Sequence, residues 1–168
     1  MVLLVNKNDE PQGFYDKFKA HREVKLHRAF SILIFNKKGQ LLLQQRSKYK
    51  LIAPYLWSNT CCSHPLQGGL IGVIKEAQER LQEEMGFTCP LKLAFKFQYK
   101  VQYGYFFENE VDYVLIGKYE KNPKPNKKEA LSWKWVNISA LKEDIKQNPE
   151  KYTYWLKLIL QNNAFKVA

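Results

Sequence analysis

The apolar residues of this chain change period twice. Leu70, Val73, Ile74, Ala77, Leu81 and Met85 recur at the spacing of one helix face, and Gly86 follows as a stop. On either side the pattern alternates or runs in short blocks: "HRAFSILIFNKKGQLLLQQRS" before the helix, then "LKLAFKFQYKVQY", "FFENEVDYVLIGKY" and "ALSWKWVN" after it. Such runs, bounded by turn residues, predict strands on both sides of a central helix. Asn36-Lys37-Lys38-Gly39 turns between strands over 29–36 and 40–46, and Tyr103-Gly104-Tyr105 turns between a later pair. Ser139 is placed to cap a helix through Lys146, and "YTYWLKLILQNN" predicts a last helix. The chain starts with a short apolar run, Val2 to Val5. There follow "NKNDEPQG", read as turn or loop, and a basic, aromatic stretch to His21. The expectation is an α/β or α+β sandwich, a mixed sheet flanked by helices, in a single domain over 1–168.

Between the second strand and the helix lies "KYKLIAPYLWSNTCCSHPLQGG" (48–69), which has no clean period, two prolines and a closing glycine pair. Structureless segments of that length are uncommon in compact domains unless they carry chemistry, so it is expected to be a functional loop. It holds Cys61, Cys62 and His64, two of the chain's three cysteines and one of its three histidines. Three thiols cannot all pair, and a bridge between adjacent cysteines closes a strained ring, so the thiols are expected to be reduced, as in cytoplasm. No run approaches the roughly 18 apolar residues of a membrane span, and "MVLLVNKNDE" turns polar too early for a secretory leader. The net charge of +11 invites an anionic partner. Its lysines, however, are scattered among Asn, Pro and Glu in "KYEKNPKPNKKE" and along 142–157, as on a solvated surface rather than a stripe that tracks nucleic acid.

The histidines are His21, His27 and His64, and Glu108-Asn109-Glu110 adds two carboxylates that project from one face of an extended segment. Three imidazoles with two carboxylates suit a divalent ion such as zinc or manganese; a Glu-x-Glu pair is also a common polar strand face. Cys62 stays open among three readings: a ligand with Cys61 and His64, an inert core thiol, or an active thiol whose pKa is lowered by cationic surroundings. The central helix ends "ERLQEEMGF", with Glu83 and Glu84 where the helix dipole disfavours negative charge.

The paired acids before x-Gly-hydrophobic resemble the end of the Nudix box. That box wants Arg-Glu where the chain has Glu79-Arg80, and an acid where it has Ile71. With "HRAFSILIFNKKGQLLLQQRS", "NTCCSHP", "EEMG" and "ENEVDY" in this order, residues 2 to 160 closely resemble the type I isopentenyl-diphosphate isomerases. The resemblance implies a Nudix-like α/β sandwich that interconverts isopentenyl and dimethylallyl diphosphates. It also implies one tightly bound divalent metal (zinc, manganese or magnesium) and a further magnesium carried on the substrate.

By position, it assigns the metal to His21, His27, His64, Glu108 and Glu110, and the essential thiol to Cys62 rather than Cys61. Tyr99 falls near the reacting carbons, Trp57 forms the aromatic wall and Trp155 closes the pocket. Lys17, Arg46, Lys50 and Arg80 take the diphosphate, and Glu84 its magnesium. The implied setting is a cytoplasmic monomer acting on a small isoprenoid diphosphate, without nucleic acid or membrane. Two other functions compete: a Nudix hydrolase of a nucleoside diphosphate derivative, which needs the carboxylates that Ile71 and Glu79-Arg80 disrupt, and a basic nucleic-acid-binding module with a vestigial site.

Overall fold

The computed structural model describes residues 1–166; the last two positions of the expected 1–168 domain lie outside the described residues. At its centre is β3 (His27–Phe35), buried along all nine residues. A strand apolar on both faces must be covered on both, and here helices do so. β8 (Phe106–Lys118) runs parallel to β3, from His27↔Glu110 to Phe35↔Lys118. β1 (Val2–Val5), β4 (Leu41–Arg46) and β6 (Cys61–Ser63) pair with β3 antiparallel. Outside these, β2 (Pro11–Tyr15) joins β1, β5 (Trp57–Ser58) and β9 (Ala130–Val136) join β4, and β7 (Leu91–Tyr103) joins β8. The result is the expected mixed sheet.

α2 (Gly69–Met85) lies on one face, where Val73, Ala77, Leu81 and Met85 pack on Phe30, Ile32, Ile34 and Leu42. α3 (Ile138–Gln147) and α4 (Tyr154–Gln161) cover the other, through Leu141, Leu156 and Ile159 on Leu33, Phe35 and Leu43. α1 (Lys17–Arg22) closes one end against β8. Gly86 ends α2 at φ 77°, its N–H on Gln82 O, where a Cβ would come within 2.4 Å of Lys124 O. Only glycine fits that stop. Among the described residues no helix is long and apolar enough to cross a membrane.

Several local expectations change. The 48–69 segment is not structureless: β5 and β6 lie inside it, and Ser58, Asn59, Thr60 and Cys61 are fully buried. Two- and three-residue strands carry no periodic signal, so only their partners reveal them. Pro11–Gly13 belong to β2, an edge strand, where a missing proline N–H at the first position costs no ladder bond. The cap of α3 is Asn137, and Ser139 lies within the helix. Leu70 and Ile71 at the start of α2 are exposed, so the apolar face of the helix begins at Val73.

The β1–β2 turn is clipped to the sheet by Asp9. Its carboxylate accepts from Arg28 Nε at 2.8 Å, from Lys96 Nζ at 3.1 Å and from the Tyr113 hydroxyl. Burial opposes ionisation of Asp9, but bonds from Tyr113, Lys96 and Arg28 prevail and hold its carboxyl below its usual value. A lowered folded-state pKa stabilises above the unfolded value, about 3.9, and the contribution fades as pH falls through the folded one. Asp9→Asn, which strands the buried Arg28, is therefore expected to cost about 2 kcal/mol at neutral pH and clearly less in acid. Denaturant unfolding at both pH values checks it; a pH-independent loss contradicts it.

Candidate active site

Two backbone carbonyls orient two of the imidazoles. His21, one turn after Lys17 on α1, donates from Nδ1 to Lys17 O at 2.7 Å, and His27 donates from Nδ1 to Lys25 O at 2.8 Å. A carbonyl only accepts, so both rings carry the proton on Nδ1 and turn an Nε2 lone pair inward. Facing them are the carboxylates of β8. His21 Nε2 lies 3.1 Å from Glu108 Oε2, and His27 and His64 Nε2 lie 3.4 and 2.9 Å from Glu110 Oε1. One ligand atom from each of the five residues falls within 4.8 Å of all the others.

His21 Nε2, His27 Nε2 and Glu108 Oε2 are buried and lack hydrogen-bond partners. Buried lone pairs converging without protons between them repel unless a cation sits among them, so the donor set fits a divalent metal. Burial pushes His64 down to about 3, which keeps it a neutral ligand.

Glu110 also faces the other way. The β7–β8 register sets Tyr99 opposite it, and the Tyr99 hydroxyl donates to Oε2 at 2.6 Å. Burial opposes the charge on Glu110, but the imidazoles of His27 and His64 beside its Oε1 hold the carboxyl well below the usual carboxylate range. Burial and the neighbouring Glu110 push Glu108 well up, and Tyr99 likewise. The pair thus offers one oxygen to the imidazoles and one, through a phenol, to an adjoining cavity.

That cavity is a cleft open to solvent, with about 590 Å³ of atom-free space. Tyr99, Glu108, Glu110, Cys62 and Trp155 line it together with the basic Lys17, Lys50 and Arg80. Strand alternation divides the two cysteines. Cys61 pairs with Ile32 and enters the core under α2, while Cys62 pairs with Ser31 and faces the cavity.

Of the three readings open for Cys62, the structure opposes the thiol of lowered pKa. Burial pushes the thiol up to about 11, and Arg46, whose Nη1 is 3.5 Å from Sγ, only partly opposes this. A buried site penalises a thiolate more than one shared cation favours it.

The basic residues divide too. Arg46 lines the cavity, but its Nε and Nη2 donate to Ile52 O and Ala53 O, and its guanidinium lies 5.1 Å over Trp155. These bonds clamp the 52–53 carbonyls to a cation that also lines the cavity. Lys50 Nζ reaches Glu84 at 2.9 Å and Glu129 at 2.5 Å; Arg80 Nη2 reaches the same two at 2.6 and 3.4 Å. Burial opposes the charge on Glu84, but Lys50, Gln44 and Arg80 hold it ionised.

Glu129 goes unmarked in the sequence: it sits in the lysine-rich run that resembles plain surface, and no local pattern singles it out. Trp57 is misassigned as the aromatic wall. β5 hydrogen-bonds β4, one strand away from β3, so Trp57 lies half-buried against the cluster under α4, with Lys134 Nζ 4.2 Å over its ring. Trp155 is the indole of the cavity.

The NUDIX domain family model matches residues 25–156. Isopentenyl-diphosphate Delta-isomerase 1 of Aromatoleum aromaticum is 43% identical, covering 93% of this chain and 88% of its own length. The isopentenyl-diphosphate Delta-isomerase of Serratia proteamaculans is 40% identical over 96% of this chain and 90% of its own. The chain belongs to the isopentenyl-diphosphate Delta-isomerase family.

The isopentenyl-diphosphate Delta-isomerase of Schizosaccharomyces pombe, 36% identical, covers 99% of this chain and 82% of itself. Among solved structures, DR0079 from Deinococcus radiodurans superposes with a TM-score of 0.78 at 19% identity, over 95% of this chain and 96% of that one, and shares the Nudix fold. Within this isomerase-family chain the helix acids do not gather as a hydrolytic cluster. Glu79 is exposed, Glu76 accepts from the backbone N–H of Leu66 and Gln67, Glu83 pairs outward with Arg80, and Glu84 alone reaches the cavity.

The two indoles make a sharp comparison. Trp155→Leu is expected to lower isomerase turnover about thirtyfold or more, the kinetic equivalent of ~2 kcal/mol of cation–π stabilisation in a dry site. Trp57→Phe is expected to change stability slightly and turnover little. Steady-state kinetics of both decide, and a larger loss at Trp57 contradicts the assignment.

Proposed function

We propose that this protein interconverts isopentenyl diphosphate and dimethylallyl diphosphate by adding a proton to one carbon and removing another from the allylic carbon. The observation that carries this reading is that Cys62 and the Tyr99–Glu110 pair border one cavity that Lys17, Lys50 and Arg80 also line. Shifting a double bond needs an acid and a base on opposite sides of a flat hydrocarbon, in a site poor in water. The ionised Glu110 and the protonated thiol hold one proton between them: in one direction Cys62 gives and Glu110 takes, in the other they exchange. Tyr99 fixes Glu110 Oε2 at the hydrocarbon.

The Trp155 ring face stabilises the tertiary cation between the two transfers. Lys17, Lys50 and Arg80 bind the diphosphate, Arg46 closes the 52–53 turn beside it, and Glu84 meets the magnesium that the substrate carries. Binding energy at that remote end positions the reacting carbons.

His21, His27, His64, Glu108 and Glu110 would hold a tight divalent ion of zinc, manganese or magnesium. Bound there, it neutralises two carboxylates and keeps Glu110 in one orientation. The same reading makes it a monomer at work in the cytoplasm on a small substrate rather than on nucleic acid.

The test is incubation with isopentenyl diphosphate and magnesium. Dimethylallyl diphosphate without phosphate release is expected; inorganic phosphate or pyrophosphate as the main product returns the hydrolase reading.

A further inference from the structure

We infer that Asn59 is a positioning residue whose carboxamide ties the peptide carrying Cys62 to the indole of Trp155, and so sets the proton-transfer group against the aromatic face. The inference rests on the isomerase reading. Asn59 is fully buried and lies outside the cavity lining. Both hydrogens of its Nδ2 are used, on Ile32 O at 3.2 Å and on Cys61 O at 2.8 Å. Its Oδ1 accepts from Trp155 Nε1 at 3.1 Å and from Ser58 Oγ at 2.9 Å. Ser58 Oγ shares the same indole N–H at 3.0 Å and contacts Thr153 Oγ1 at 3.1 Å.

The Cys61 carbonyl belongs to the rigid peptide plane that contains Cys62 N and Cα. Fixing that carbonyl fixes the direction in which Cys62 leaves the strand. The same planar amide holds the indole nitrogen, so thiol and ring are referenced to one rigid group anchored on β3. Nothing in the packing of β6 alone demands this: the ladder to β3 already secures Cys61 and Cys62. What the side chain adds is the link to α4, an element distant in sequence.

The neighbouring Thr60 is an internal control. It is equally buried and also uses both its bonds, accepting from Ile34 N–H at 3.0 Å and donating to Leu42 O at 2.6 Å, but it joins strands only.

The experiment compares Asn59→Ala, Thr60→Val and Ser58→Ala by thermal melt and by steady-state kinetics with isopentenyl diphosphate, alongside the unsubstituted protein. For Asn59→Ala we expect kcat to fall about 100-fold, the cost of a misplacement near 1 Å, with KM nearly unchanged. Thr60→Val should lose stability yet keep kcat within about threefold. A second readout follows the cation itself. Where the ring no longer shields it, water adds to the tertiary carbon, its oxygen forming the C–O bond and one proton leaving to solvent, and a tertiary alcohol diphosphate accumulates with Asn59→Ala alone.

Folded Asn59→Ala with undiminished kcat, an equal kcat loss in Thr60→Val, or a loss confined to KM overturns the inference. If Asn59→Ala does not fold, Ser58→Ala decides: a kcat loss of about tenfold at constant KM supports the tether, and none removes it. An unsubstituted protein that fails to turn over isopentenyl diphosphate refutes the isomerase reading instead.

Discussion

Cys62→Ala is expected to lower isomerase turnover about a thousandfold or more, with the fold intact, while Cys61→Ala keeps most of the activity. The magnitude is that of losing a positioned acid or base from a proton transfer. The contrast comes from strand geometry: Cys62 faces the cavity opposite Ser31, and Cys61 is fully buried opposite Ile32 in the core under α2. The Cys61 change therefore appears in stability, at about 1 kcal/mol for a small core truncation. Kinetics with isopentenyl diphosphate, paired with denaturant melts, measure both. Equal activity losses at the two cysteines would contradict the division of labour.

Glu110→Gln is expected to reduce turnover by a comparable factor, and the loss should persist in excess divalent metal. Glu110 serves two roles at once, with Oε1 toward His27 and His64 and Oε2 under the Tyr99 hydroxyl. A neutral amide keeps the shape but neither the charge nor the capacity to take a proton. Glu108 also lines the cavity, but the Tyr99 hydroxyl bonds Glu110 instead, and Glu108 meets His21 at 3.1 Å. Glu108→Gln and His64→Ala should therefore release the ion from protein that otherwise retains about one per chain, and added metal should recover part of their activity. Metal analysis of the purified variants, followed by assays across added metal, separates a ligand from a proton carrier. Recovery of Glu110→Gln by metal, or full activity of metal-free protein, would sink the assignment.

Parts of this site are legible in the amino-acid sequence. The imidazoles and the Glu-x-Glu pair announce a metal centre by residue type, and the order of the motifs points to the isomerases. Their convergence depends on more: His21 needs α1 to bring its ring over β8, and His64 needs β6 to run beside β3. Arg46, Lys50 and Arg80 share one charge and look alike as a set of diphosphate bases. Their partners separate them, since carbonyls at 52–53 occupy the first and Glu84 with Glu129 hold the other two. Glu129 lies 45 residues along the chain from Glu84 and joins it only because the turn at 126–129 folds back onto the end of α2. The reading of Cys62 as a thiol of lowered pKa fails for a similar reason. Counting nearby cations ignores desolvation, which dominates in a buried site.

The amino-acid sequence by itself determined the long strands, the central helix with its Gly86 stop, and the residue types of the metal centre. Those features rest on period, on turn chemistry and on ligand preference, all readable within a few residues. Only the tertiary structure decided that Trp155 rather than Trp57 faces the cavity, and that Cys62 and Glu110 border the same one. Which face a two-residue strand presents, and which strand it lies beside, is settled by pairing partners far along the chain. Hydrogen bonding to β4 carries Trp57 against the cluster under α4; pairing with β3 turns Cys62 toward the cavity that Glu110 lines.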